Sequence, residues 1–464
     1  MKQSASVVLL ATFVSAGAHA QEFNAYSTTM VQMTRQSTPG FASTTLAPAT
    51  EFLGIDGNKL GTDALSLHLF GWGFKDLGDP STPNGKSGGD LSYAYLDYRF
   101  KQANALVKAG RFSVNQGGGV EQVDGVSGRT DLRGGFNVSG FFGAPVRYRT
   151  AEPQDQTAYN KQSDLIYGAR LGLRTGPMGE VGVSYLQEGS QSPKPSTAPQ
   201  PADYTRKQLG TDLRIAPMAR LELTGHSLFN VGTYYQVPGS PQDNPSRVAE
   251  HDYLVSYRFT PAVKLAASYT ERNLDAYFAG SNLPNLFRQN EQDKHKGMGG
   301  VLTLAATDKR PELSVDFRHT QRQTTGNANR YGVDLRWATA EAKLKGGVGA
   351  HRVDADKAAF GVPASAALYG MSRDEARAWA MYETGKYTCS LDGILYHFND
   401  SSNPNLFGKS NLGQVVASLG MRPTENLSVS GDLSIGMDAY YQNQTSVLLR
   451  TTYRFAVASK GGSK

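Results

Sequence analysis

Apolar and polar residues alternate one for one along much of this chain. The stretch from Asp252 to Thr270 shows the pattern most cleanly. Tyr253, Val255, Tyr257 and Phe259 alternate with Leu254, Ser256 and Arg258. Thr260-Pro261-Ala262 then turns the chain, and Val263, Leu265, Ala267 and Tyr269 alternate with Lys264, Ala266, Ser268 and Thr270. A period of two gives a strand one apolar and one polar face, and proline presets the backbone for the turn while barring a central strand position. The unit recurs. Leu91 to Phe100 turns at Gln102-Ala103-Asn104 into Leu106 to Asn115, and Tyr331 to Trp337 turns at Ala338-Thr339-Ala340 into Ala342 to Val353. Similar pairs run from Gln208 to Val231, Met298 to Arg322, Arg377 to Phe398 and Gly413 to Tyr441, before a last strand, Val447 to Phe455. Phe23 to Thr34 and Ala49 to Ile55 carry the pattern more weakly.

The connections fall into two alternating classes. Short turns follow every second strand, while longer polar segments such as Gly189 to Asp203, Ala276 to Lys294 and Asp354 to Asp374 separate the hairpins. Short turns at one end and long loops at the other mark a transmembrane barrel. Closure is what lets strands cross lipid, because every backbone group then finds a partner. The chain therefore predicts an all-β, closed antiparallel barrel of about 20 strands, 18 to 22 by the spacing, with an even number expected. Strands that precede a short turn share an ending, in which residues suited to lipid flank an arginine: Arg99, Arg174, Arg214, Arg258, Arg336, Arg422 and Arg454. Those arginines should face inward near one rim of the pore, with the aromatic neighbours forming an interfacial girdle.

Composition fits this picture. The mean hydropathy is negative and hydrophobic residues make up only 39% of the chain, as expected where half of each strand faces water. Residues 1–20 read as a secretory signal peptide: Lys2, an apolar run from Val7 to Gly17, and Ala18-His19-Ala20 before Gln21. Residues 21–464 form the barrel, and no later apolar run approaches the roughly 18 residues of a membrane helix. The single cysteine, Cys389, excludes an intramolecular disulfide or a cysteine zinc cluster. It is expected at an outward strand position. The net charge of +6 is scattered singly, without the basic run that nucleic acid binding requires.

With these features the chain resembles the porin-like outer-membrane β-barrels of Gram-negative bacteria over residues 21–464. The resemblance implies contact with outer-membrane lipid, passage of small polar solutes or ions, and insertion by the barrel machinery, which reads a terminal aromatic. Phe455 fits that place, with 456–464 as an extension beyond it. The stretch DLSYAYLDYRFKQANALVKAGRF is also similar to porin-like proteins of metal-reducing bacteria, some of which sheathe a periplasmic multihaem cytochrome.

Candidate chemistry is sparse. The rim arginines predict a mild anion preference if unpaired, and none if each meets a carboxylate. The glycine-rich interval 116–145 has two readings. It is an inward-folded constriction bearing Glu121, Asp124, Arg129, Asp131 and Arg133, or it is two further strands that raise the count towards 22. Two loops share Pro-Asn-Leu-Phe, at 284–287 and 404–407, as a buried plug or as a tip that enters the pore mouth. Gly85-Lys86-Ser87 lacks the earlier glycine of a phosphate loop. The histidines fall one per segment, without metal-site spacing. The chain is expected to be no enzyme and to carry no metal or other cofactor.

Overall fold

The computed structural model describes residues 20–36, 43–80, 86–117, 119–146, 163–191, 204–231, 233–237, 240–244, 247–273, 294–307, 310–322, 326–339, 341, 343–356, 371–400, 406, 408–437 and 444–458. They form one antiparallel sheet of 25 strands. Three of these are accessory. Thr44–Leu46 lies beside the end of the first strand, and Thr233–Val237 pairs with Ser240–Asn244 in a hairpin between two wall strands. The other 22 form a closed ring, one strand pair more than the central expectation and inside its range. Closure joins the two ends of the chain: Ala20–Gln36 pairs with Gln444–Ala458 from Glu22↔Ala458 to Arg35↔Thr445. The last strand thus runs three residues past Phe455, with Ala456 opposite Asn24, so residues 456–458, expected as extension, belong to the wall.

Register assigns the faces. Across adjacent strands Leu302, Val315, Val333, Val348 and Ala378 fall on one side, with Thr303, Ser314, Asp334 and Gly349 on the other. The first side carries most of the exposed large hydrophobic residues, including Phe317, Leu395, Leu419, Ile435 and Leu449, and is the outward face. On Leu344–Ala355 it stays apolar through Leu344, Val348 and Ala350, then turns polar at Arg352, which binds Asp354 at 2.9 Å. On the neighbouring Gly326–Ala338 it runs from Trp337 to Tyr331 and ends at Asn329. Four outward positions span six residue steps, ~20 Å along a strand at ~3.4 Å per residue and ~16 Å in height at a tilt of ~40°. With the reach of the flanking side chains this forms a continuous apolar band. The lower edge carries aromatic pairs, Tyr98 with Phe100 at 4.7 Å and Tyr257 with Phe259 at 4.8 Å. Cys389 is exposed on this outward face, as expected.

The interval 116–145 is largely wall. Gly119–Asp131 pairs with Ala105–Gln116 and then with Phe136–Pro145, which in turn pairs with Ser163–Arg174. These two strands account for the higher count, and they correct the reading of the whole interval as a constriction. Glycine serves the wall here: at Gly125 and Gly143 a Cβ would fall on the facing strand's backbone.

Candidate functional site

Among the described residues one wall hairpin leaves the ring. Ala105–Gln116 pairs with its preceding neighbour only up to Ala94↔Arg111, and Gly119–Asp131 pairs with its following one only from Val123. Beyond those points Phe112 to Gln122 form a two-stranded hairpin tied to the wall at its base by Gln122, whose carbonyl accepts from the Val146 amide at 2.8 Å and whose side chain donates to the Ser92 carbonyl. It folds inward. Phe112 and Val114 on one arm and Val123 at the base of the other are buried against Phe141, Ile166 and Leu186, which register places on the inner face of the next three strands. Its tip reaches further still, since a Cβ on Gly117 would meet Ser184 Oγ and come within 3.5 Å of Asp212 Oδ2. The bend is local to Gly110, where φ is +126° and a side chain would strike the Ala94 carbonyl; only glycine takes that conformation without strain. Where the pairing lapses Arg111 fills the gap, binding Asp124 at 2.7 Å and the Leu91 carbonyl at 2.9 Å.

The hairpin tip rests on a charged network. Arg170, 12% exposed, grips Asp212 in a two-pronged pair at 2.6 and 2.9 Å and reaches Glu180 and Asn137 at 2.9 Å each. Arg174 joins Glu180 at 3.0 Å and Asp131 at 3.4 Å. Planar guanidinium groups suit such bidentate contacts with carboxylates. Glycines leave them room, for a Cβ at Gly182 would lie on the Arg170 guanidinium.

Of the five constriction candidates, only Glu121 sits on the folded-in hairpin, opposite Val114. Asp124 stands at its base with Arg111. Arg129 and Asp131 lie low on the inner wall 3.7 Å apart, and Arg133 is in the short turn Arg133–Gly135. Sequence proximity brings only Arg129 and Asp131 together; strand alternation and height separate the others.

All seven rim arginines fall at the short-turn end, on the inner face by register. They divide by partner. Arg174 has Glu180 and Asp131, Arg214 has Glu222 at 3.7 Å, and Arg336 has Glu312 at 3.8 Å. Among the described residues Arg99, Arg258, Arg422 and Arg454 have no ion-pair partner, and all four are exposed.

Two arrangements had no signal in the sequence. His351 meets Asp316 at 2.9 Å and Asp334 at 3.5 Å across three strands, a donor set that could hold a divalent cation. Arg330, at 3.0 Å from Asp316 and 3.2 Å from Glu375, already neutralises that wall. The other is a chain of inward-facing aromatic rings that begins at Tyr26. Of the second Pro-Asn-Leu-Phe, Leu406 is buried against Met371 and Phe398, while residues 404, 405 and 407 lie outside the described residues. The first, at 284–287, lies outside the described residues, as do most of the long loops. Ser87 opens the wall strand Ser87–Phe100, and Gly85 lies outside the described residues.

No protein-family model matches the chain, and no curated protein matches it. Solved structures do. The siderophore receptor PirA from Pseudomonas aeruginosa aligns over 93% of this chain and 80% of its own, with TM-score 0.57 and 12% identity. The fold is that of an outer-membrane β-barrel. The ferric enterobactin receptor PfeA of Pseudomonas aeruginosa, in complex with BCV-L6, aligns over 93% and 81%, with TM-score 0.55 and 10% identity. Acinetobacter baumannii OccAB4 aligns over 94% and 99%, at TM-score 0.42 and 10% identity. At such identities the likeness to the two receptors carries the architecture and no ligand.

Proposed function

We propose that this outer-membrane barrel is a channel for passive diffusion of small hydrophilic solutes and ions, with a mild anion preference. The observation that carries the reading is the inner face itself. It is lined by Arg, Asp, Glu, Ser and Thr side chains, and among the described residues the hairpin Phe112 to Gln122 is the element that leaves the wall to narrow the lumen. Fixed charges on a narrow low-dielectric path select ions by sign. Four unpaired arginines at the short-turn rim supply a positive excess there, while the paired three contribute little field.

The reading assigns the chain no catalysis and no cofactor. Contact with lipid and delivery by the barrel-insertion machinery accompany it. A sheath for a periplasmic cytochrome is not favoured, because the hairpin occupies space that a threaded partner needs.

The test is a planar bilayer recording on the purified protein under a KCl gradient. Discrete ion-conducting steps with a reversal potential on the anion side are expected, and the preference should fall when Arg99, Arg258, Arg422 and Arg454 are all changed to alanine. A cation-side reversal potential in the unaltered protein would falsify the preference, and an absence of conducting steps would remove the channel.

A further inference from the structure

Half-buried aromatic side chains line one sector of the inner wall. Tyr26, Phe52, Phe70, Tyr93 and Tyr95 lie on the same face as Asp56, His68 and Asp97, opposite the outward Leu53, Leu67, Leu96 and Tyr98. Their rings are linked in sequence: Tyr26 to Phe70 at 6.1 Å, Phe52 to Phe70 at 6.2 Å, Phe70 to Tyr93 at 5.6 Å, and Tyr93 to Tyr95 at 5.9 Å. Tyr95 then meets Phe112 edge-on at 6.4 Å, so the stripe ends against the anchor of the folded-in hairpin. These separations are those of attractive ring pairs. A water-facing wall does not need such a surface. Elsewhere in the barrel inward positions carry polar residues such as Ser314, Asp334 and Arg336, and inward aromatic residues such as Trp379 and Tyr396 stand outside the chain of rings; a contiguous exposed apolar patch marks a binding surface.

Cations flank it. Arg454 is the direct cross-strand partner of Tyr26, which places their Cβ atoms ~5 Å apart. Its guanidinium has no ion-pair partner among the described residues. Lys108 holds its ammonium 4.8 Å from the Tyr95 ring centre. The nearest anions, Asp56 and Asp97, are both engaged by His68, at 2.6 and 3.2 Å. The stripe therefore offers flat apolar faces between the hairpin's anchor at Phe112 and an available positive charge, Arg454, at the opposite end beside Tyr26.

We infer that this stripe is a solute-binding site for small organic anions that carry an aromatic ring. The ring stacks on Phe70 and Tyr93, and the anionic group meets Arg454. This deepens the channel reading by naming a solute class, and it is tested apart from conduction. Ligand-observed saturation-transfer NMR is run on the folded barrel in detergent, with benzoate, acetate and benzamide as probes. Heat-modifiable mobility serves as the check of folding. Benzoate should bind and acetate should not. The double variant Phe70→Leu and Tyr93→Leu keeps apolar volume but removes the rings, and should weaken benzoate binding about 2- to 10-fold, the range of a ring–ring contact. Arg454→Gln should weaken benzoate while leaving the uncharged benzamide unchanged. Benzoate binding that is equal in the ring-less variant, or equal to that of acetate, overturns the inference. Binding in a barrel that does not conduct supports the site and removes the channel; conduction without benzoate binding does the reverse.

Discussion

Single residues decide where this wall bends and what it can hold. Gly110 is the clearest case, because its φ of +126° is closed to side chains and the Ala94 carbonyl occupies the space a Cβ needs. Gly110→Val is expected to lower the heat-modifiable folded fraction, with about 1–3 kcal/mol from backbone strain alone. Gly128→Ala, where nothing lies within 4 Å of the added carbon, should fold like the parent. Equal folded fractions would show that the bend does not depend on glycine. Arg170 is the second case. Its loss by Arg170→Met leaves Asp212 and Glu180 without their shared cation, and removal of one partner from a largely buried pair costs about 3–5 kcal/mol. The urea midpoint of the folded barrel should fall. Arg170→Lys should not restore it, because a point charge cannot span Asp212, Glu180 and Asn137 together; full rescue by lysine would count against the network.

At the scale of elements, the hairpin Phe112 to Gln122 is the part whose removal should change function without changing fold. Its wall neighbours keep their pairing from Ala105↔Thr130 to Phe112↔Val123. Replacing Val114–Glu121 by an Asn-Gly turn, which suits a two-residue hairpin, should give a folded barrel with larger single-channel conductance. Unchanged conductance would mean that the hairpin does not narrow the path. The sequence made the glycine-rich interval visible as unusual but could not divide it. Gly119–Asp131 and Phe136–Pro145 lack the strong alternation of Tyr253 to Phe259, and the inward turn is set by where the flanking pairings stop, which is a property of four strands together. The rim arginines show the complementary case. Their inward placement could be read from the flanking residues on one strand, whereas the partners that separate Arg174 from Arg454 come from adjacent strands.

For the whole molecule, the barrel was legible because each strand repeats one local rule, apolar out and polar in, and the turns alternate in length. The strand number was less legible. Pro48–Leu60, interrupted by Gly54 and Gly57, reads as a weak strand until its pairing with both neighbours is known. Contacts between distant segments were not legible at all: the aromatic stripe draws on four strands, and the His351 cluster on three. Closure, lipid face and lumen all rest on the alternation, so the most direct measurement labels it position by position. In a Cys389→Ser background, which removes the outward thiol, single cysteines are placed in turn from Leu448 to Arg454 in the membrane-embedded protein. A membrane-impermeant thiol reagent should modify 448, 450, 452 and 454, and spare 449, 451 and 453. Modification of every position alike, or of the odd ones in preference, would contradict a closed wall with Arg454 turned to water and Tyr453 to lipid.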